Sequence, residues 1–395
     1  MLDNSPSWLS FAKLRASYAV VGNAAGWAQL DLNYYFSSGG NNGYANVSST
    51  QPASDLQPEK TNSQEYGADV RLFGNRLGLD FTYYKTNTIN QLLRIPVPVA
   101  SGFRNKYINA GDMQNKGIEF TVNLKAVEMQ NFSWDVSLNY ARNENTAIKI
   151  TDELDEYTVR GRSWMTTIKI VEGEPMGQIY TKGFLRSDAG EILVNGETGL
   201  PMVTPGQTVP MGNKNPDWMG GLTNSFKYKD LSLSIVLDAR FGGKIFSFTE
   251  ANLASDGMSD YTAIGRDGMV VEGVVPTYDD DGNITSTTPN TKQVTAEAYW
   301  QSLGGRNTPT GEPFGYDASY VRLREVVLSY PIRFAADSPI RSIQISAYGR
   351  NLGFLYNAAE IVDPGMNVGT GNIQGMEGFG IPTTKQYGFN LKFRF

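Results

Sequence analysis

Side chains able to do covalent chemistry are few in type here, because the 395-residue chain contains no cysteine and no histidine. Without cysteine there is no disulfide framework, no thiolate nucleophile and no thiolate-held metal. Without histidine there is no imidazole zinc site, no Ser-His-Asp triad and no ordinary general base. Acid–base work would fall to carboxylates, Lys, Tyr or Ser. The pairs Asp152/Glu153 and Asp155/Glu156 could in principle serve as acid and base, as in glycoside hydrolysis, but carboxylates so crowded on a polar stretch read as a solvated face. Asp279, Asp281 and Asn283 mimic the first three ligands of a calcium loop. The sixth position is Ile284 instead of Gly and the twelfth is Asn290 instead of Glu, so a plain Asp/Gly turn is expected. Gly369 to Gly375 has the wrong spacing for a dinucleotide fingerprint and opens no helical pattern. The expectation is no catalytic residue, no metal site and no cofactor.

What remains is recognition without bond-making. Trp27, Tyr34, Tyr35, Tyr44, Trp164, Trp300 and Tyr316 lie in or beside long polar stretches. Aromatic faces are platforms for amphipathic ligands such as sugars and peptides. Substrate contact is expected at Trp27, Tyr34, Tyr35, Trp164, Trp300 and Tyr316, with loop packing and an interfacial girdle as the competing roles. A net charge of -6 and a pI near 5.0 argue against nucleic acid as a partner.

The elements that must position these loops are strands. Leu14, Ala16, Tyr18 and Val20 alternate with polar or small neighbours, as do Tyr66 to Leu72, Leu77 to Tyr83, Ile118 to Leu124 and Phe132 to Tyr140. Weaker or later runs follow at Trp218 to Tyr228, Leu231 to Phe241, Tyr320 to Tyr330 and Ile343 to Leu352. Tyr387, Phe389, Leu391, Phe393 and Phe395 close the set against Gln386, Gly388, Asn390, Lys392 and Arg394. Period two gives each strand one apolar and one wet face, for a total of about ten strands.

Mean hydropathy is -0.33, and no run of about 18 apolar residues could cross a bilayer as a helix. A transmembrane barrel hides in such values because only alternate strand residues touch lipid. Tight turns at Gly74-Asn75, Val127 to Asn131, Lys229-Asp230 and Pro331 to Ile340 alternate with long stretches. These are Gly22 to Ser63, Thr86 to Asp112, Asn143 to Pro216, Gly242 to Ala318 and Gly353 to Thr384. Short periplasmic turns and long outer loops are the pattern of outer-membrane barrels. The apolar faces carry no Lys or Arg, either of which would cost about 2–4 kcal/mol at mid-membrane. The fold class expected is therefore all-β, an antiparallel transmembrane β-barrel. Met1 to Pro6 has neither a basic start nor an apolar core of a secretory signal, so either the barrel reading fails or the natural N-terminus lies upstream.

Five segments then carry a family resemblance. Leu56 to Leu93, Asn109 to Phe120, Gly212 to Leu222, Tyr320 to Tyr330 and Gly349 to Leu352, in that order and with the closing strand, resemble the C-terminal barrel part of SusC/RagA TonB-linked outer-membrane transporters. The resemblance implies a 22-stranded barrel, with an N-terminal plug and a TonB box that both lie outside residues 1–395, so the whole chain is expected to be the C-terminal portion of the barrel. It further implies a SusD-like surface lipoprotein as lid, import of oligosaccharides or peptides, and energy from the TonB-ExbB-ExbD complex. Tyr387, Phe389, Phe393 and Phe395 resemble the terminal signal read by the barrel-assembly machinery. Val362 to Gly365 departs from the family, whose members often carry an acidic residue after Asp-Pro.

The function expected is nutrient import across the outer membrane, among its lipids, by a protein that is not an enzyme. Two other readings compete with it: an autonomous passive pore, and a soluble β-sheet carbohydrate-binding module or carboxylate glycosidase.

Overall fold

The computed structural model describes residues 6–24, 26, 29–39, 42–53, 55–152, 154–159, 165–306, 309–335, 338–369, 371 and 374–395. Ten strands in chain order form one continuous antiparallel wall: β1 (Leu9–Asn23), β2 (Glu59–Leu72), β3 (Leu77–Pro96), β4 (Asn105–Glu128), β5 (Phe132–Lys149), β6 (Trp218–Tyr228), β7 (Leu231–Phe241), β8 (Tyr320–Arg333), β9 (Ser342–Asn357) and β10 (Gln386–Arg394). Each pairs with its sequence neighbour, while β1 and β10 are each paired on one side among the described residues.

The register explains why alternation was so readable. Val70 faces Leu79, Leu79 faces Val122, Val122 faces Leu138, Leu138 faces Leu222 and Leu222 faces Leu237. Because side chains repeat with period two, apolar opposite apolar from strand to strand gives a greasy face, interrupted at Asn224, which lies between Val136 and Ile235 and accepts from Trp134 Nε1 at 3.1 Å. That face stays exposed: Leu14 is 85%, Phe389 82% and Phe395 80% accessible. In water such a surface would be a liability, whereas in hydrocarbon it is the stable arrangement. Rings border it, with Phe120, Tyr140, Trp218, Phe241 and Tyr356 stacked in succession at centroid separations of 4.9, 5.6, 4.6 and 6.1 Å. They form an interfacial girdle. A bulge in β8 keeps the belt continuous, since Leu323 pairs with Leu237 and Glu325 with Val236, leaving Arg324 as the extra residue.

The stretch expected as the loop Thr86 to Asp112 is mostly strand. β3 and β4 run on to Pro96 and Asn105 as a tall hairpin closed at residues 97–104. Above the membrane both faces meet water or other loops, so Thr, Asn and Gln occupy both parities and the period-two signal vanishes. Asn90 and Gly111 lie opposite one another where the ladder is interrupted, with φ of 58° and 85°. Both are residue types that accept the left-handed region.

The long stretches after β5, β7 and β9 are also structured, and together they build a loop body. A four-stranded antiparallel sheet orders Val209–Asn213, Gln178–Thr181, Thr166–Val171 and Glu156–Val159. A second, mixed sheet places Lys244–Ser247 between Gly315–Asp317 and Met376–Glu377, the last pairing being parallel. Two short helices, α1 (Phe248–Ser255) and α2 (Ala296–Leu303), start on Ser247 and Thr295, whose side chains accept from Glu250 N and Ala298 N. Met165, Ile168, Ile179, Phe246, Phe248, Phe314 and Met376 pack into one buried cluster. Phe246 and Phe314 are fully buried. The molecule's main aliphatic and aromatic core thus lies outside the barrel wall.

Candidate functional site

Along the wall the parity that is not apolar carries a dense polar lining. Arg15 of β1 reaches across β2 to donate to both Asp80 oxygens of β3 at 2.9 and 2.7 Å. It can do so because position 67 is Gly; a Cβ there would stand 2.3 Å from Arg15 Nε. Asp69, Arg71, Asp80, Asn123, Lys125 and Asp135 line a groove of about 560 Å3 near the short turns. Higher up, Arg324 forks onto Asp238 at 3.0 and 2.7 Å, and Arg350 donates to Glu325 at 2.5 Å. These residues share the face opposite the girdle.

The loop body is anchored to that same inner face. Arg322 of β8, 5% exposed, packs against the Tyr320 and Phe354 rings and donates to Asp363 of the last loop at 2.5 Å. Thr383 Oγ1 also donates to Asp363, at 2.7 Å. Arg240 of β7 donates to the Lys214 carbonyl at 2.7 Å. Burial and the Arg240 charge depress the Lys214 ammonium pKa. Two buried carboxylates organise the neighbourhood of α1. Glu377 accepts from Ser247 Oγ and Thr249 Oγ1, both at 2.6 Å. Glu250, 7% exposed, accepts from Ser259 Oγ, and its charge lies near the Tyr261 and Tyr316 phenols. Burial first, and that carboxylate second, push both phenols well above the ordinary tyrosine value.

Of the aromatics expected at a site, Trp300 and Tyr316 come together around this body. Trp300 on α2 packs 4.9 Å from Tyr261 and 4.9 Å from Tyr299, and 6.4 Å from Phe314. It lines a cleft of about 640 Å3 with Thr262, Arg266, Asp256, Glu297 and Gln301. Tyr316 sits in the mixed sheet opposite Ile245 and is half-buried. Tyr34 and Tyr35 lie apart from them, on an exposed hairpin of Tyr34–Ser37 with Tyr44–Val47. Trp27 and Trp164 fall outside the described residues. Tyr387, Phe389, Phe393 and Phe395 stand on or next to β10, all outwardly exposed.

The bland readings of the acidic motifs agree with the geometry. Asp279 accepts from the Asp281 and Asn283 backbone at 3.1 and 2.7 Å, which is a turn closing the hairpin Val274–Tyr278 and Ile284–Pro289. Those bonds hold its carboxyl pKa down. Asp152 pairs with Lys149 at the surface and Glu156 with the largely buried Lys169, while Glu153 lies outside the described residues. Sequence reasoning missed Glu250, Glu377, Arg322 and Asp363. Glu377 finds Ser247 across 130 residues and Arg322 finds Asp363 across 41, and no local spacing announces that.

Comparison with known proteins completes the picture. Residues 4–352 match the family model described as TonB dependent receptor-like, beta-barrel. TonB-dependent receptor P3 of Formosa agariphila is 28% identical over 96% of this chain, and SusC of Bacteroides thetaiotaomicron is 24% identical over 70%. The RagAB peptide transporter superposes with a TM-score of 0.73 over 99% of the chain at 18% identity, which speaks for the fold. The chain spans about two-fifths of such relatives, 39% of P3 and 41% of the RagAB chain. The greasy belt, the girdle, the polar inner face and these matches have one meaning: the chain belongs to the TonB-dependent receptor-like β-barrel family and resides in the outer membrane.

Proposed function

We propose that this chain supplies barrel wall and outer loops to an importer of oligosaccharides or peptides. The observation that carries this reading is the anchoring of the loop body to the inner face through the buried Arg322–Asp363 pair. Loops held over the polar face guard a lumen, and loops splayed outward would not. SusC and RagAB, as relatives, favour a SusD-like lipoprotein partner above the loops and TonB-ExbB-ExbD energisation through segments outside this chain. Trp300, with Arg266, Glu297 and Gln301 around it, offers an aromatic face in a polar cleft that suits an amphipathic ligand. Tyr34 and Tyr35 would act, if at all, from an exposed hairpin. The protein contributes positioning and passage, with no bond made or broken. An autonomous passive pore would need β1 to pair with β10, and the single-sided pairing of both strands favours the larger assembly.

Uptake of fluorescent oligosaccharides and peptides by cells expressing the complete transporter tests this. Import of one class that stops on adding a protonophore, and falls several-fold in Trp300→Ala, is the expected result. Entry that persists without a proton gradient would establish a passive pore instead.

A further inference from the structure

The outer face of the wall does not end at its girdle. Following β3, β4 and β5 upward on the lipid-facing parity, Phe81 gives way to Tyr83 and Lys85, Phe120 to Ile118 and Lys116, and Tyr140 to Arg142 and Glu144. Lys85 and Lys116 are direct cross-strand partners. Like charges in that position oppose each other and weaken the sheet. Glu144 offsets only part of the charge, at 2.9 Å from Lys116 and 2.8 Å from Arg142, while Lys85 has no ion pair among the described residues. Tyr83, Ile118, Lys116 and Arg142 line an open groove of about 360 Å3. Its lower wall is apolar and its upper wall is charged, two cations to the one Glu144 carboxylate, with Lys85 beside it on the neighbouring strand, in the order in which a lipid presents chain and headgroup.

A single lysine at a membrane boundary needs no ligand, because it extends its ammonium to water. Three cations on adjacent strands, two of them forced opposite each other, are a different arrangement. They lie at the long-loop end, hence in the outer leaflet. We propose that Lys85, Lys116 and Arg142 bind the phosphorylated headgroup of an outer-leaflet glycolipid on the lipid side of the wall. The phosphate relieves the Lys85–Lys116 repulsion, Arg142 offers planar paired donors, and the acyl chains run down over Tyr83, Ile118 and Phe81. The site is separate from the lumen and independent of what the transporter carries.

The test uses the complete transporter in mild detergent, titrated with lipid A, with enzymatically dephosphorylated lipid A and with phosphatidylglycerol, and read by native mass spectrometry. Lipid A is expected to be retained about tenfold better than either control, from the contribution of a few interfacial basic residues. K85Q/K116Q/R142Q is expected to lose that advantage, whereas K13Q/K125Q on the inner face keeps it. Equal retention of the dephosphorylated lipid or of phosphatidylglycerol overturns the assignment, and so does a triple variant that binds like the parent. The comparison among lipids on the unaltered protein decides the matter even if the triple variant fails to insert.

Discussion

The wall and the loop body solve the burial problem in opposite ways. In the wall, Leu14, Phe389 and Phe395 are largely exposed to the surroundings while Arg15, Asp80, Asp238 and Arg324 pair on the inner face. In the loop body, Phe246, Phe314, Ile179 and Met165 are enclosed and the charges ring the outside, Glu250 and Glu377 excepted. One chain therefore carries two solvents' worth of folding rules, and the boundary runs along the girdle. The lesson is that exposure of an apolar side chain has no fixed sign until the solvent is named.

Substitutions can break or sharpen that contrast. Phe246→Ala should cost the loop body about 3–5 kcal/mol, read as faster amide hydrogen exchange in residues 165–181 and 244–255 with β3–β7 unchanged. Loss of protection in the wall as well would mean the two regions are one cooperative unit. Leu138→Arg, on the belt between Val122 and Leu222, should cost about 2–4 kcal/mol by urea unfolding in vesicles. Asn139→Arg, one residue on and facing the lumen, should cost little; equal penalties would refute the assigned faces. Glu377→Leu leaves the Ser247 and Thr249 hydroxyls without their acceptor and should cost about 1–3 kcal/mol, again confined to the loop body.

Tyrosine titration gives a gentler comparison. Tyr261, Tyr299 and Tyr316 have phenols raised above 10.0, mainly by burial. When unfolded they would lose protons near that value while the native state keeps them, so stability should fall as pH rises past 10. Absorbance near 295 nm should show these three ionising only on unfolding, and normal titration would disprove their burial. Smallest of all, millimolar calcium should leave proteolysis of the hairpin around Asp279 unchanged; protection there would revive the calcium loop.

Legibility in the sequence follows the same boundary. The wall strands were readable because lipid on one side and lumen on the other impose alternation, strict in Phe132, Trp134, Val136, Leu138 and Tyr140 and weaker in β6, where Gly220 and Asn224 stand on the apolar parity. The upper halves of β3 and β4 were not, because Thr86 to Leu93 changes surroundings at Asn90 and loses its two-sided contrast. The loop body was opaque for another reason. Its strands are mostly four to six residues long, too short to show a period, and its core gathers Met165, Phe246, Phe314 and Met376 from three separate connections. Of the candidate aromatics, Trp300 lines the cleft beside α2 and Tyr316 sits in the mixed sheet of the same loop body, while Tyr34 and Tyr35 lie on a separate hairpin. Aromatic content alone ranks them equally, and only tertiary structure separates them.

The parallel pairing of Phe246-Ser247 with Met376-Glu377 sets the schedule of maturation. Phe246 cannot acquire its last neighbour until a segment 130 residues further along has been exported, and that segment lies only about ten residues before β10. Contacts so distant in sequence form late and slowly. The mixed sheet of the loop body, and with it the enclosure of Phe246, therefore depends on a contact that forms after the local strand pairings of the wall.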